Sequence, residues 1–178
     1  MYKMQPLVIS VLILGFSQSR VFAQTDDAVQ TYGSLGFAED FRKGADLGAV
    51  DAKFGAKFNP YLGTEAELDV GTNSDVATHL SSPVSERINY AVAAYGVAYL
   101  PVVQRFNLLA RVGVGETRFN LNDNGVTGRS DLASLNYGVG AMYDLNAKNA
   151  IRVDYTRKSY DHNGGDDNVL AASLVHRF

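Results

Sequence analysis

Cysteine and tryptophan are both absent from the 178 residues, and proline occurs only four times. Without cysteine there is neither a disulfide scaffold nor a thiolate metal site. Positive charge is also short. The 16 Lys and Arg stand against 19 Asp and Glu, a formal charge of −3, which argues against a nucleic-acid partner. Long apolar runs are missing too. The stretch Leu7–Phe16 is about half of the roughly twenty residues that a spanning helix requires. A second stretch, residues 91–103, contains Gly96 and Pro101 and is rich in valine and tyrosine, so a strand and a turn fit it better than a helix. What is present excludes disorder: 46% of residues are apolar and 11% aromatic, in a length that suits one domain.

Residues 1–23 read as a cleaved export signal. Lys3 precedes the apolar stretch, and Val21-Phe22-Ala23 places small or short side chains where a signal peptidase reads them. Removing Lys3 and Arg20 from 16 bases, and nothing from 19 acids, leaves 14 against 19 and a formal charge of −5. Residues 24–178 then form the folded domain.

That domain repeats with period two, which puts successive side chains on opposite faces of a strand. Val50, Ala52, Phe54, Ala56 and Phe58 oppose Asp51, Lys53, Gly55 and Lys57. Leu62, Thr64, Ala66, Leu68 and Val70 oppose Gly63, Glu65, Glu67 and Asp69. The same sorting holds over residues 29–37, 106–115, 135–144, 151–156 and 170–178. Residues 87–99 make an eighth strand with two apolar sides, on which Tyr95, Val97 and Tyr99 most resemble an outward set. Short turns at Asn59-Pro60, 101–105 and 146–149 alternate with longer polar stretches at 39–46, 71–86, 120–131 and 158–168. The expected fold is all-β: an eight-stranded antiparallel up-and-down transmembrane β-barrel, with the long loops outside and the short turns in the periplasm.

Alternation alone fits equally a soluble barrel with its oily face inward. Three features favour the inverted arrangement. The polar faces carry Asp51, Glu65, Glu67, Asp69 and Asp154 against Lys53, Lys57, Arg111, Arg152 and Arg177, a balance suited to a closed interior where unpaired charge is costly. Phe58, Tyr61, Tyr99, Phe106, Tyr143 and Phe178 lie at strand ends beside short turns, where an interfacial girdle sits. Gly55, Gly63, Gly113, Gly115, Gly138 and Gly140 repeat on the polar face and make room for long neighbours.

With its signal peptide, Tyr61-Leu-Gly-Thr-Glu-Ala-Glu-Leu68, Gly138-Val-Gly-Ala-Met-Tyr-Asp-Leu145 and the terminal Leu174-Val-His-Arg-Phe178, the chain resembles the small outer-membrane β-barrels of the OmpA/OmpX and opacity types. The resemblance implies a barrel in the outer membrane of a Gram-negative-type cell, in contact with lipid and lipopolysaccharide. It also implies a last strand read by the barrel assembly machinery through Leu170, Ala172, Leu174 and Phe178, with His176 departing from the family's usual aromatic. With the sequence stopping at Phe178, no peptidoglycan-binding domain is expected.

Little here suggests catalysis. His79-Leu80-Ser81 resembles the His-x-Ser pair of lipid A deacylating barrels, but it falls mid-loop with nothing to hold a nitrogen against the hydroxyl. Asn120, Asn122, Asn124, Gly125 and Asp131 imitate a calcium loop that lacks its first carboxylate, and turn chemistry accounts for them more cheaply. Residues 161–167 read as a solvated tip. Arg111 and Arg152 with Glu65 and Glu67 form a gate or a permanent plug, and an eight-stranded interior filled by side chains favours the plug. The expectation is a non-enzymatic protein without cofactor or metal. Its surface loops would serve adhesion, surface contact or envelope integrity by engaging an extracellular ligand. A small pore or a carrier of apolar molecules is the alternative, and a lipid A-modifying enzyme the less favoured one.

Overall fold

The computed structural model describes residues 29–42, 45–72, 75–77, 84–123, 126–161 and 165–178. The strands are β1 (Gln30–Arg42), β2 (Ala45–Lys57), β3 (Leu62–Gly71), β4 (Asp75–Ala77), β5 (Val84–Val103), β6 (Phe106–Asp123), β7 (Val126–Asp144), β8 (Asn149–Tyr160) and β9 (Asp166–Arg177). Each long strand pairs antiparallel with its neighbour in sequence; β3 pairs with β5, and β1 pairs with β9 from Tyr32↔Arg177 to Phe41↔Asn168. Eight staves therefore close on themselves. Closure leaves no unpaired edge, the condition for a sheet to sit in hydrocarbon. The short β4 only prolongs the line of β3 alongside the top of β5.

Burial alternates as the period-two pattern demands, with the oily set facing out. In β3, Leu62 and Leu68 are exposed while Glu65, Glu67 and Asp69 are buried, and β8 and β9 show the same inversion. The short turns use side chains in place of backbone partners. The Asn59 carboxamide oxygen accepts from the N–H groups of Tyr61 and Leu62 at 2.8 and 2.9 Å, and that of Asn146 accepts from Lys148 and Asn149 at 2.9 Å each.

Two expectations are corrected. Tyr95, Val97 and Tyr99 do not face outward: none is more than 4% exposed, and Tyr99 is no part of a girdle. Ala94, Gly96 and Ala98 face the lipid instead. Hydropathy could not orient β5 because both its sides are apolar; the tyrosine hydroxyls decide, since each finds a polar partner inside. The second correction concerns the long polar stretches, much of which is strand. β1 and β2 pair up to Arg42↔Ala45, β6 and β7 up to Asp123↔Val126, and β8 and β9 up to Ser159↔Asp166. β5, β6 and β7 run 20, 18 and 19 residues, beyond the 9–11 that a tilted strand needs to cross a bilayer. One side of the barrel thus rises well above the outer rim as a three-stranded apron.

Candidate functional site

The inward side chains change character from the lower turns upward, with the charges of the middle supplied by β2, β3, β6 and β8. In β8 they run Ala150, Arg152, Asp154, Thr156, Lys158, Tyr160, all buried. The lumen is accordingly layered: an aromatic floor, a charged middle and an apolar lid.

Glu65 is the hub of the middle layer. Its carboxylate accepts from Arg111 at 3.0 Å, from the two terminal nitrogens of Arg152 at 2.6 and 3.2 Å, and from the Tyr32 hydroxyl at 2.7 Å. Glu67 pairs with Arg111 at 2.7 Å and accepts from Tyr95 at 3.1 Å. Arg111 also donates to Thr156 Oγ1 at 3.1 and 2.8 Å and lies 4.2 Å over the Tyr95 ring. Arg152 reaches Asp154 at 2.8 Å, and Lys158 reaches Asp69 at 3.2 Å. Asp51, Glu67 and Asp69 each offer an oxygen within 4.8 Å of the others, a spacing that could hold a cation. The Lys53 ammonium supplies one, bonded to Asp51 and 3.7 Å from Glu67. Each buried charge here meets an opposite one, which burial requires.

Glycines opposite the tyrosines make this packing feasible. A Cβ on Gly55 would overlap the Tyr32 ring, and one on Gly113 would come within 2.8 Å of Tyr95. Below the charges, Tyr32 and Tyr99 share a 2.7 Å hydrogen bond and pack with Leu109, Met142, Ala150 and Val175. Above them, Leu47, Ile88, Phe119 and Tyr160 meet over the axis, with Phe119 and Tyr160 edge to face at 6.1 Å.

Eight of the ten charges singled out in the sequence lie in this middle layer. Lys57 and Arg177 do not. They are half-buried at the lower mouth, Lys57 4.4 Å over the Tyr99 ring and Arg177 bonded to Asp144. Lys158, Tyr32, Tyr95, Thr156 and Asn136 were missed, as were the buried carboxylates of Asp40 and Asp167. The signal was there: Asp40 and Lys158 continue the parity of their strands into stretches assigned to loops. Asp167 is buried, so the 161–167 segment is no wholly solvated tip; its residues 162–164 lie outside the described ones. Asp131 faces outward and chelates Arg118 through both oxygens, and Asn120 pairs with Arg129 in the β6–β7 ladder, while Asn124 and Gly125 lie outside the described residues. His79 and Ser81, like residues 1–23, lie outside the described residues. Leu170, Ala172, Leu174 and Phe178 all point outward, and Phe178 stacks edge to face on His176 at 5.4 Å.

The family model for the outer membrane protein beta-barrel domain matches residues 8–178. The chain belongs to this family. As an outer-membrane barrel it is placed in the cell's outer membrane, with a salt-bridged interior and a lipid-facing apolar wall. Solved structures share the fold. The attachment invasion locus protein Ail of Yersinia pestis, crystallised with the heparin analogue sucrose octasulfate, is 16% identical with a TM-score of 0.62, over 84% of this chain and 99% of that one. OprG of Pseudomonas aeruginosa is 16% identical with a TM-score of 0.63, over 85% and 97%. The N-terminal β-barrel domain of OprF from the same organism is 13% identical with a TM-score of 0.59, over 85% and 100%. No curated protein sequence matches the chain.

Proposed function

We propose that this barrel is a non-enzymatic surface protein whose closed lumen serves as a rigid anchor and whose outer apron and loops make contact with a ligand outside the cell. The observation that carries this reading is the double seal. The middle layer is crossed by paired charges, and the lid of Leu47, Ile88, Phe119 and Tyr160 packs above it, so side chains fill the axis at two levels among the described residues. With transport through the middle disfavoured, the surface raised above the membrane is what remains to act. Adhesion is the named role of Ail, whose crystal form carries a sulfated sugar analogue. A sulfated or otherwise anionic glycan is therefore the first ligand to try. In the same reading residues 1–23 are a removed signal peptide, lipopolysaccharide surrounds the outer half, and the assembly machinery reads Leu170, Ala172, Leu174 and Phe178.

The test is expression in a non-adherent Gram-negative host. Binding of those cells to heparin-coated surfaces should rise, and shortening the β6–β7 apron at residues 118–131 should abolish the gain without loss of the folded barrel. In planar bilayers the purified protein should give no discrete conductance steps. Regular steps, with adherence unchanged, would favour the pore instead.

A further inference from the structure

The reversed facing of β5 has a consequence on the lipid side. By turning Tyr95, Val97 and Tyr99 inward, β5 leaves Ala94, Gly96 and Ala98 as three successive small outward residues between Val92 and Leu100, on a wall elsewhere covered by residues such as Phe37, Leu135 and Leu174. The result is a furrow of about 480 Å³, lined by Phe58, Leu62, Gly96, Ala98, Ala110 and Val112. Its volume is that of an ordinary small-ligand pocket. Its width, from β3 across β5 to β6, is about two strand spacings or ~10 Å, suited to one flexible hydrocarbon chain. Gly96 has no partner inside the protein that demands it. A Cβ there would meet nothing nearer than 3.9 Å, whereas one on Gly63, Gly113 or Gly140 would collide with backbone or side chains. Glycine within a strand weakens it and often marks close approach by another molecule.

A second feature lies below the furrow. The turn that joins β5 to β6 places Arg105 in the left-handed region, at φ 73°. Glycine or asparagine would sit there with less strain, so the arginine side chain is kept against the backbone's preference. Arg105 is exposed, and no carboxylate engages it among the described residues. From Ala110 to Arg105 is five residues, ~17 Å along the strand and ~12 Å along the membrane normal at a 45° tilt. That separation fits a phosphate at the periplasmic interface with its acyl chain rising through a leaflet of ~15 Å.

We propose that the furrow over β5 holds one acyl chain of an anionic glycerophospholipid of the periplasmic leaflet, whose headgroup phosphate is gripped by Arg105. The charge on Arg105 selects the lipid class, and the missing side chains on β5 make the seat. The test uses the full barrel in vesicles of equal parts phosphatidylethanolamine and phosphatidylglycerol, followed by native mass spectrometry of the lipid retained on release. The native chain should keep one phosphatidylglycerol. Ala98→Leu and Ala110→Leu each fill the furrow and should cut retention about tenfold through lost apolar contact. Val153→Phe, on the outward face of β8 and away from the furrow, should leave it unchanged. Arg105→Gln should keep the site but lower the preference for phosphatidylglycerol about fivefold, the worth of one basic group near a lipid surface. Heat-modifiable migration of each variant confirms that it is folded. Equal retention by Ala98→Leu, Ala110→Leu and the native chain would overturn the proposal. So would conversion of a native dimer to monomer by the furrow-filling variants, because the furrow would then seat a second copy of the chain.

Discussion

Glu65, on β3, faces two guanidinium groups and a phenol from three other strands, so it couples β1, β3, β6 and β8 through one carboxylate. Glu65→Gln keeps the shape and removes the charge, leaving Arg111 and Arg152 with less than their full compensation. Breaking a buried pair from one side costs about 3 kcal/mol at the lower end of measured values. Urea unfolding of the variant in lipid vesicles should show a loss of that size. Glu116→Gln, on the outward face of the apron, should stay within about 0.5 kcal/mol. Equal, small effects at the two sites would mean that the charged layer is a hydrated filling rather than a brace. The individual pairings of this layer were not legible in the sequence. Parity tells which side chains point inward, but the shear of the barrel decides that Arg152 meets Glu65, 87 positions away.

At the scale of the strands, β5 supplies the sharpest check. Ala94 should face mid-membrane lipid, so Ala94→Lys should destabilise the barrel by about 2–4 kcal/mol, the cost of a base on the lipid face near the midplane. Were Ala94 inside, among carboxylates, the same change would be mild or favourable. Seven of the eight staves could be read directly, because their outward faces are the more apolar and their inward ones carry charged residues, Gly, Asn or Ser, so that hydropathy separates the two sides. In β5 the inward residues are tyrosine and valine and the outward ones alanine and glycine, so residue size and hidden hydroxyls carry the information. Strand ends were the other blind spot. Outward polar residues such as Glu39, Asp131 and Asp166 look like loop, yet a wall that rises above the membrane is wet on its outer side and imposes no apolar requirement. Ladder hydrogen bonds alone extend the strands there.

For the whole molecule, closure is the property to test. Unboiled, the barrel should migrate ahead of the boiled chain on detergent gels, and a form ending before Asp166 should migrate identically with and without heating. A truncated chain that still shifted would mean that seven staves suffice. The seam itself lies between the first and the last strand of the barrel: β1 bonds to β9, and the N–H of Phe178 donates to the carbonyl of Thr31 at 3.1 Å. The opening strand therefore has to wait for the closing one. Until β9 has been delivered across the inner membrane, both borders of the sheet stay bare, and bare borders invite aggregation. Export of this polypeptide must then be all or nothing. An interrupted passage yields no smaller working version, only a fragment for the periplasmic proteases to clear.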